Sequence, residues 1–259
     1  MPEYRLDQST GRMVIVAEER ATRPYQFDIE DDLQDGEPYR SYCPFCEGNE
    51  SLTPGEISAF RDNTPDSAGW TVRTVPNLYP AVVCGNEKSS VVPTFTQHGS
   101  LQASTSGVGV HEVIVDTPRH LLSVTDMTET EVEAMLRMYA VRLQALRSEQ
   151  RFASAIIFKN VGQAAGASLP HSHSQLIALP FVPELLRTEL DQAAKYAAKE
   201  QSLCLGAICS TTNCKTVAVS SRNGNTSSPF ARSSVAFRRK SRFIRDGTIP
   251  SWKIILLPN

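Results

Sequence analysis

The sequence predicts a domain of mixed α and β structure across residues 1–201, of the α/β or α+β kind. Three observations carry this. Short apolar runs bounded by turn residues recur along the chain, at strand length. Two longer segments have helical character, one running on from Thr128 and one from Glu184 to Glu200. Hydrophobic residues make up 41% of the 259 and charged residues 21%, which supplies a core and excludes collagen-like, coiled-coil and wholly disordered chains.

In chain order, Met13-Val14-Ile15-Val16-Ala17 reads as a strand. Arg20 and Arg23 follow, then an acidic, turn-rich stretch from Asp28 to Glu37 that is expected to be exposed. Val72 to Val75 and Ala81 to Cys84 read as strands around Pro76-Asn77. Residues 85–107, rich in Ser, Thr and Gly, are expected to form a long loop. His111 to Val115 reads as a strand stopped by Pro118. Thr128 and Glu131 have capping-box spacing. Val132, Met135, Leu136, Tyr139, Leu143 and Leu146 then recur on one helical face. Ala153 to Phe158 and Leu176 to Leu179 read as buried strands separated by a glycine-bearing loop, Asn160 to Leu169. The helix from Glu184 to Glu200 is expected to turn Leu185, Leu186 and Leu190 to one face.

The net charge of -2 averages two unlike segments. Residues 1–201 hold 17 basic and 27 acidic residues, a balance of -10. Residues 202–259 hold 9 basic residues and one acid, Asp246, a balance of +8. Such a tail suits a basic nucleic-acid arm, or a segment foreign to the fold that precedes it. Beyond residue 201 neither helical nor strand periodicity persists, and Trp252 to Leu257 alone resembles a strand. No apolar run reaches the ~20 residues of a membrane span. Met1-Pro2-Glu3-Tyr4-Arg5 lacks a signal-peptide core, so a cytoplasmic location is expected.

Cys43-Pro44-Phe45-Cys46 is a C-x-x-C pair. A redox pair would sit at a helix start in a βαβ unit, a pattern that is not visible. A disulfide suits secreted chains. Two unrelated buried thiols are the plainest alternative. Metal binding is the best single reading, and a structural zinc needs two further ligands. His171-Ser172-His173-Ser174-Gln175 places two imidazoles at i and i+2, which share one face of an extended strand. The preceding loop offers backbone N–H groups, Asn160 and Ser168, the donors a phosphate requires; taken alone, it also reads as an ordinary Gly/Ala turn. An imidazole with one nitrogen free and the other held by an acceptor is a competent nucleophile towards phosphorus.

Phe158-Lys159-Asn160, Gly166-Ala167-Ser168 and His171-Ser172-His173-Ser174-Gln175 together resemble the active-site signature of the galactose-1-phosphate uridylyltransferase family, within the histidine-triad superfamily. The usual form is His-Pro-His-x-Gln after an Asn and a Gly-Ala-Ser. Thr10-Gly11-Arg12 with Arg20-Ala21-Thr22-Arg23-Pro24, then Cys43-Pro44-Phe45-Cys46, then Asn77-Leu78-Tyr79-Pro80 and His111 to His120, resemble other family segments in order and spacing. The resemblance covers residues 4–183.

It implies an α+β fold: a histidine-triad-like half-domain of antiparallel sheet and helices over residues 1–183, a linking helix over 184–201, and an incomplete or atypical second half over 202–259. That last segment has the composition of a truncated or frameshifted remnant. His173 would be the nucleophile and Gln175 would bind and orient the transferred phosphoryl group. Asn160 and Ser168 would contact phosphate oxygens, Arg20 and Arg23 would face the diphosphate, and Asn77 would lie in the nucleotide pocket. Without the resemblance the two arginines read as surface residues. Zinc would take Cys43, Cys46, His120 and His171.

The implied activity is nucleotidyl transfer of the UDP-glucose–hexose-1-phosphate uridylyltransferase type, by double displacement through a nucleotidyl-histidine, in galactose metabolism. Its partners are a nucleotide sugar and a hexose 1-phosphate, with no nucleic acid or membrane, and the family suggests a homodimer. Ser172 stands where Pro is usual, and His-Ser-His-Ser-Gln resembles the ADP-glucose phosphorylase-like branch. That leaves an adenylyl-transferring alternative, and an inactive truncated member as another. Cys84 is expected to be a small buried hydrophobe and Trp70 a core residue. His98 and His111 are left without a named partner.

Overall fold

The computed structural model describes residues 1–23, 39–85, 95–98, 102–162 and 165–200, with strand segments at 216–218, 236–239 and 251–256. The expected exposed stretch from Asp28 to Glu37 lies outside the described residues.

The fold is α+β, built on two antiparallel sheets. In the smaller sheet the order is β2 (Arg12–Val16), β1 (Glu3–Asp7), β6 (Gln102–Ser106), β5 (Thr96–Gln97). The larger sheet has eight strands. Its central part runs β8 (Ser154–Asn160), β9 (His173–Leu179), β7 (Val110–Val115), β4 (Trp70–Pro76), β3 (Ser58–Arg61). Beyond β8 it continues with β12 (Ser251–Leu256), β11 (Ala236–Arg239) and β10 (Thr216–Ala218). The expected strand at Trp252 is therefore present, and it pairs antiparallel with β8, Ser251 opposite Asn160.

One long helix, α1 (Glu129–Ser148), covers one face of the larger sheet. Its start is fixed as the sequence predicts: the Thr128 hydroxyl accepts from the Glu131 N–H and the Glu131 carboxylate accepts from the Thr128 N–H. Met135, Met138, Tyr139, Leu143 and Leu146 pack on Val72, Ile114, Ile157, Leu176 and Ala178 from four strands. Leu136 does not join this face; it is 39% exposed, because the buried stripe includes Met138 and Arg142 instead. Arg142 is drawn in by a bidentate pair with Glu112 of β7, at 2.9 and 2.8 Å. The second helix, α2 (Glu184–Glu200), buries Leu186 and leaves Leu185 62% exposed, so those two adjacent residues do not share a face.

Three other expectations are corrected. Ala81 to Cys84 is no strand. Its donors are taken by acceptors outside any strand ladder, Ala81 N–H by the His111 ring and Val83 N–H by the Gly107 carbonyl, and a single bridge, Val83 to Val108, remains. The stretch 85–107 is not loop throughout, because Gln102–Ser106 pairs residue for residue with β1. Its Ser/Thr sequence hides this: Ala103 is its one buried apolar side chain, and pairing rests on the backbone ladder. Cys84 is exposed.

Candidate active site and metal centre

The opposite face of the larger sheet carries the candidate residues. Alternation along β9 sends Ser174, Leu176 and Ala178 towards α1 and His173, Gln175 and Ile177 the other way. A second apolar cluster lies on that other face: Cys43, Phe45, Cys46, Trp70, Val75, Val113 and Val115. Trp70 is core, as expected, and its Nε1–H donates to Glu50 at 2.7 Å.

The C-x-x-C loop is pinned before any metal is considered. The Asn49 side chain donates to the carbonyls of Cys43 and Arg40 at 2.8 and 2.9 Å. The ligand atoms of Cys43, Cys46, His120 and His171 all lie within 4.8 Å of one another. Cys46 Sγ is 3.3 Å from His120 Nδ1 and 3.6 Å from His171 Nδ1, and Cys43 Sγ is 3.6 Å from His171 Nδ1. A tetrahedral zinc with ordinary Zn–S and Zn–N bonds separates its S and N ligands by about 3.6 Å. The residues therefore fit such an ion. The far side of the ring fits too: His171 Nε2 donates to the Thr117 carbonyl at 2.9 Å, which leaves the lone pair on Nδ1, the atom facing the thiols. The hydrogen bond shared by the two thiols holds a proton on Cys43 and, against the effect of burial and together with the hydrogen bonds to His120 and His171, pushes Cys46 down to about 3.

His173 is buried and lies against Phe45, ring centroids 5.2 Å apart. His171 lies against the same phenyl ring at 6.0 Å, so the two imidazoles share a side as the i, i+2 spacing requires. His173 Nδ1 is 2.8 Å from the His171 carbonyl. A carbonyl only accepts, so Nδ1 carries the proton and Nε2 the lone pair. Burial first, then the charge on Lys159, lowers this imidazole to about 4 against the opposing pull of its hydrogen bond to His171.

On the α1 side of β9 a buried polar network braces the same strand. Lys159 pairs with Asp116 and donates to Ser172 Oγ at 2.7 Å and to the His173 carbonyl at 3.1 Å. Ser174 donates to Asp116 at 3.1 Å and meets the Tyr139 hydroxyl at 2.6 Å. Ser172, which stands where Pro is usual, and Ser174 are thus both members of this network.

The structure gathers most of the remaining candidates. Arg20 lies within a 3-10 turn, Glu18–Thr22, and Arg23 caps its end, and neither is a free surface arginine: Arg20 donates to the Tyr79 carbonyl and Arg23 to that of Gly166 at 2.9 Å. Burial, then the charge of Arg23, lowers Arg20. Asn77 accepts from the Tyr79 N–H at 2.9 Å and approaches His111 at 3.0 Å. Gln175 meets the same imidazole at 3.0 Å. Asn160 closes β8, and the half-buried Ser168 lies on the loop after it, past Gly166 in the left-handed region at φ +83°. Sequence reasoning missed three contributors. His111 lies two residues along β7 from Val113, the register partner of Gln175, so strand alternation carried the signal. Asp116 and Lys159 are single charges in apolar surroundings and gave none.

Residues 1–183 match the family described as galactose-1-phosphate uridyl transferase, N-terminal domain. The chain belongs to that family. It is 33% identical to an ADP-glucose phosphorylase of Arabidopsis thaliana over 204 residues, 79% of this chain and 56% of the relative. It is 28% identical to a galactose-1-phosphate uridylyltransferase of Thermotoga maritima over 196 residues, 76% of this chain and 52% of the relative. The crystal structure of an Arabidopsis thaliana ADP-glucose phosphorylase with bound ADP-glucose superposes with a TM-score of 0.57 at 24% identity, covering 100% of this chain and 89% of that one, which establishes the shared fold. The chain spans about half the length of the curated relatives it matches. Among the described residues no helix is long and apolar enough to cross a membrane.

Proposed function

We propose that the protein is a nucleotidyltransferase of the UDP-glucose–hexose-1-phosphate uridylyltransferase type, acting in galactose metabolism by two displacements through His173. The carrying observation is the His173 tautomer: Nδ1–H is committed to the His171 carbonyl, so Nε2 presents its lone pair. In the first step Nε2 attacks the α-phosphorus of the nucleotide sugar. The P–N bond forms, the P–O bond to the sugar phosphate breaks, and glucose 1-phosphate leaves. In the second step a phosphate oxygen of the incoming hexose 1-phosphate attacks that phosphorus and the P–N bond breaks. Gln175 orients the phosphoryl group, Asn160 and Ser168 donate to its oxygens, and Arg20 and Arg23 neutralise the diphosphate. Asn77 lines the nucleotide pocket.

Zinc held by Cys43, Cys46, His120 and His171 would be structural, with four protein ligands and no open position. It would fix the residue two before the nucleophile. Reduced thiols at such a centre suit a reducing compartment, which supports the cytoplasm. A functional division at residue 183, a linking helix to 201, an atypical segment beyond it and a homodimer complete this reading.

Labelled glucose 1-phosphate incubated with UDP-glucose and the protein should exchange into the nucleotide sugar. His173→Ala should abolish exchange, and equal rates in the two proteins would refute the mechanism. A second reading, ADP-glucose phosphorolysis through the same histidine, is favoured by His-Ser-His-Ser-Gln and by the 33% relative. Release of glucose 1-phosphate from ADP-glucose and from UDP-glucose, measured side by side, decides between them.

A further inference from the structure

One imidazole outside the proposed chemistry sits where three polar groups meet. His111 is 5% exposed. Its Nδ1 lies 2.8 Å from the Ala81 backbone nitrogen, and its Nε2 lies 3.0 Å from Gln175 Oε1 and 3.0 Å from Asn77 Nδ2. The Ala81 N–H can only donate, so Nδ1 must carry a lone pair. The ring proton of the neutral imidazole is then on Nε2, and it donates to Gln175 Oε1. An imidazolium would set a second N–H against Ala81. Burial, with the charges of Arg20 and Arg23, keeps the ring neutral by lowering it to about 4, against the pull of Gln175.

This tautomer sorts the Gln175 amide. A glutamine amide has nearly the same shape when turned over, so packing alone does not fix which end is the acceptor. With Oε1 tied to His111, the Gln175 NH2 is the end left to a ligand, and among the described residues it has no acceptor. Asn77 is set independently: its Oδ1 is tied to the Tyr79 N–H, so its NH2 points at an Nε2 that is itself a donor and cannot take it. Gln175 therefore keeps its amide hydrogens for an oxygen-rich ligand. If Gln175 were inverted, its carbonyl oxygen would face an anionic phosphoryl group and repel it.

We infer that His111, as its Nε2–H tautomer, is a positioning residue that holds the Gln175 amide with its donor end towards the transferred phosphoryl group. The role assigned to the phosphoryl group rests on the function proposed above; the tautomer does not. The strand entry supports a fixed ring position: a Cβ at Gly109 would come within 2.6 Å of the Ala178 carbonyl oxygen, so the backbone two residues before His111 is closely packed.

Two measurements on the full chain test this. Long-range 1H–15N spectra of the histidine-labelled protein at neutral pH, with His111 assigned by its loss in His111→Gln, should show the proton on Nε2. A proton on Nδ1 overturns the inference, whatever the protein's activity. The second measurement is the rate of nucleotidyl-enzyme formation from α-phosphate-labelled UDP-glucose and ADP-glucose. His111→Ala should slow it about 100-fold. In a Gln175→Ala background the same change should cost less than about threefold, because its target is already gone. His111→Gln, whose NH2 can donate to Oε1, should recover part of the rate. Equal losses in both backgrounds overturn the positioning role. If the wild-type chain forms no covalent adduct with either sugar, the transferase reading fails, and the spectra still decide the tautomer.

Discussion

Lys159 Nζ donates to the backbone carbonyl of His173 at 3.1 Å while its ammonium is paired with Asp116, and both side chains are almost wholly excluded from solvent. A buried ion pair is weak evidence for stability as such, because desolvation offsets attraction. Its removal on one side is another matter. Lys159→Met leaves the Asp116 charge without its cation and should destabilise the fold by about 3–5 kcal/mol. Lys159→Met with Asp116→Asn should recover a large part of that. Urea unfolding of the single and double variants measures both; equal losses would mean that the pair is not coupled.

Ser172→Pro restores the more usual motif and should nonetheless be harmful in this chain. The Ser172 N–H donates to the Leu121 carbonyl at 2.5 Å, and proline has none to give. The hydroxyl accepts from Lys159 and donates to Asp116 at 3.2 Å. Loss of these three hydrogen bonds, two of them in a buried charged network, should cost roughly 3–5 kcal/mol. Ser172→Ala keeps the backbone donor and should cost less. The order of the two melting temperatures is the check.

Metal content should be about one zinc per chain by elemental analysis. Chelation, or Cys43→Ser, should remove it and lower the melting temperature by about 5 °C or more, because the ligands join segments far apart in sequence. The Nε2 proton of His171, tied to Thr117, should persist in the metal-free protein. An unchanged melting temperature on complete zinc removal would show that the four residues hold together unaided.

Acid should destabilise the protein well before its carboxylates titrate. His111 and His173 are both held near 4 in the fold, against about 6.5 in an unfolded chain. Between those values the unfolded chain binds protons that the native state refuses, so stability falls as pH drops from about 6.5 towards 4. Each ring contributes roughly 3 kcal/mol across that window. The two effects add in a pH series of urea midpoints, and His111→Gln should remove about half of the slope. Nucleotidyl-enzyme formation should keep its rate down to pH values well below 6.5, since the His173 lone pair is retained there.

Much of the site is legible in the sequence because its parts are local. C-x-x-C, the paired imidazoles and the glycine-bearing loop are spaced along the chain as they are used in space. The α1 start is equally local: a hydroxyl and a carboxylate three residues apart close a cap on themselves. What failed to show was whatever depends on a distant partner. Gln102–Ser106 is polar and reads as loop, yet its backbone completes a ladder with residues at the other end of the domain. Leu136 and Met138 have similar apolarity, and only contact with the sheet decides that one is buried and the other exposed.

With the family resemblance its motifs carry, the sequence pointed to the family, the α+β plan, the set Cys43, Cys46, His120 and His171 that the structure brings together, and His173 as the candidate nucleophile. It could do so because residue type and short spacing mark the motifs that carry the resemblance. Tertiary structure alone decided which nitrogen of each histidine is free, that Lys159 and Asp116 brace the strand from behind, and that His111 faces Gln175. Those are facts of hydrogen-bond direction and burial, and they arise when strands remote in sequence are brought within about 3 Å of one another's polar atoms.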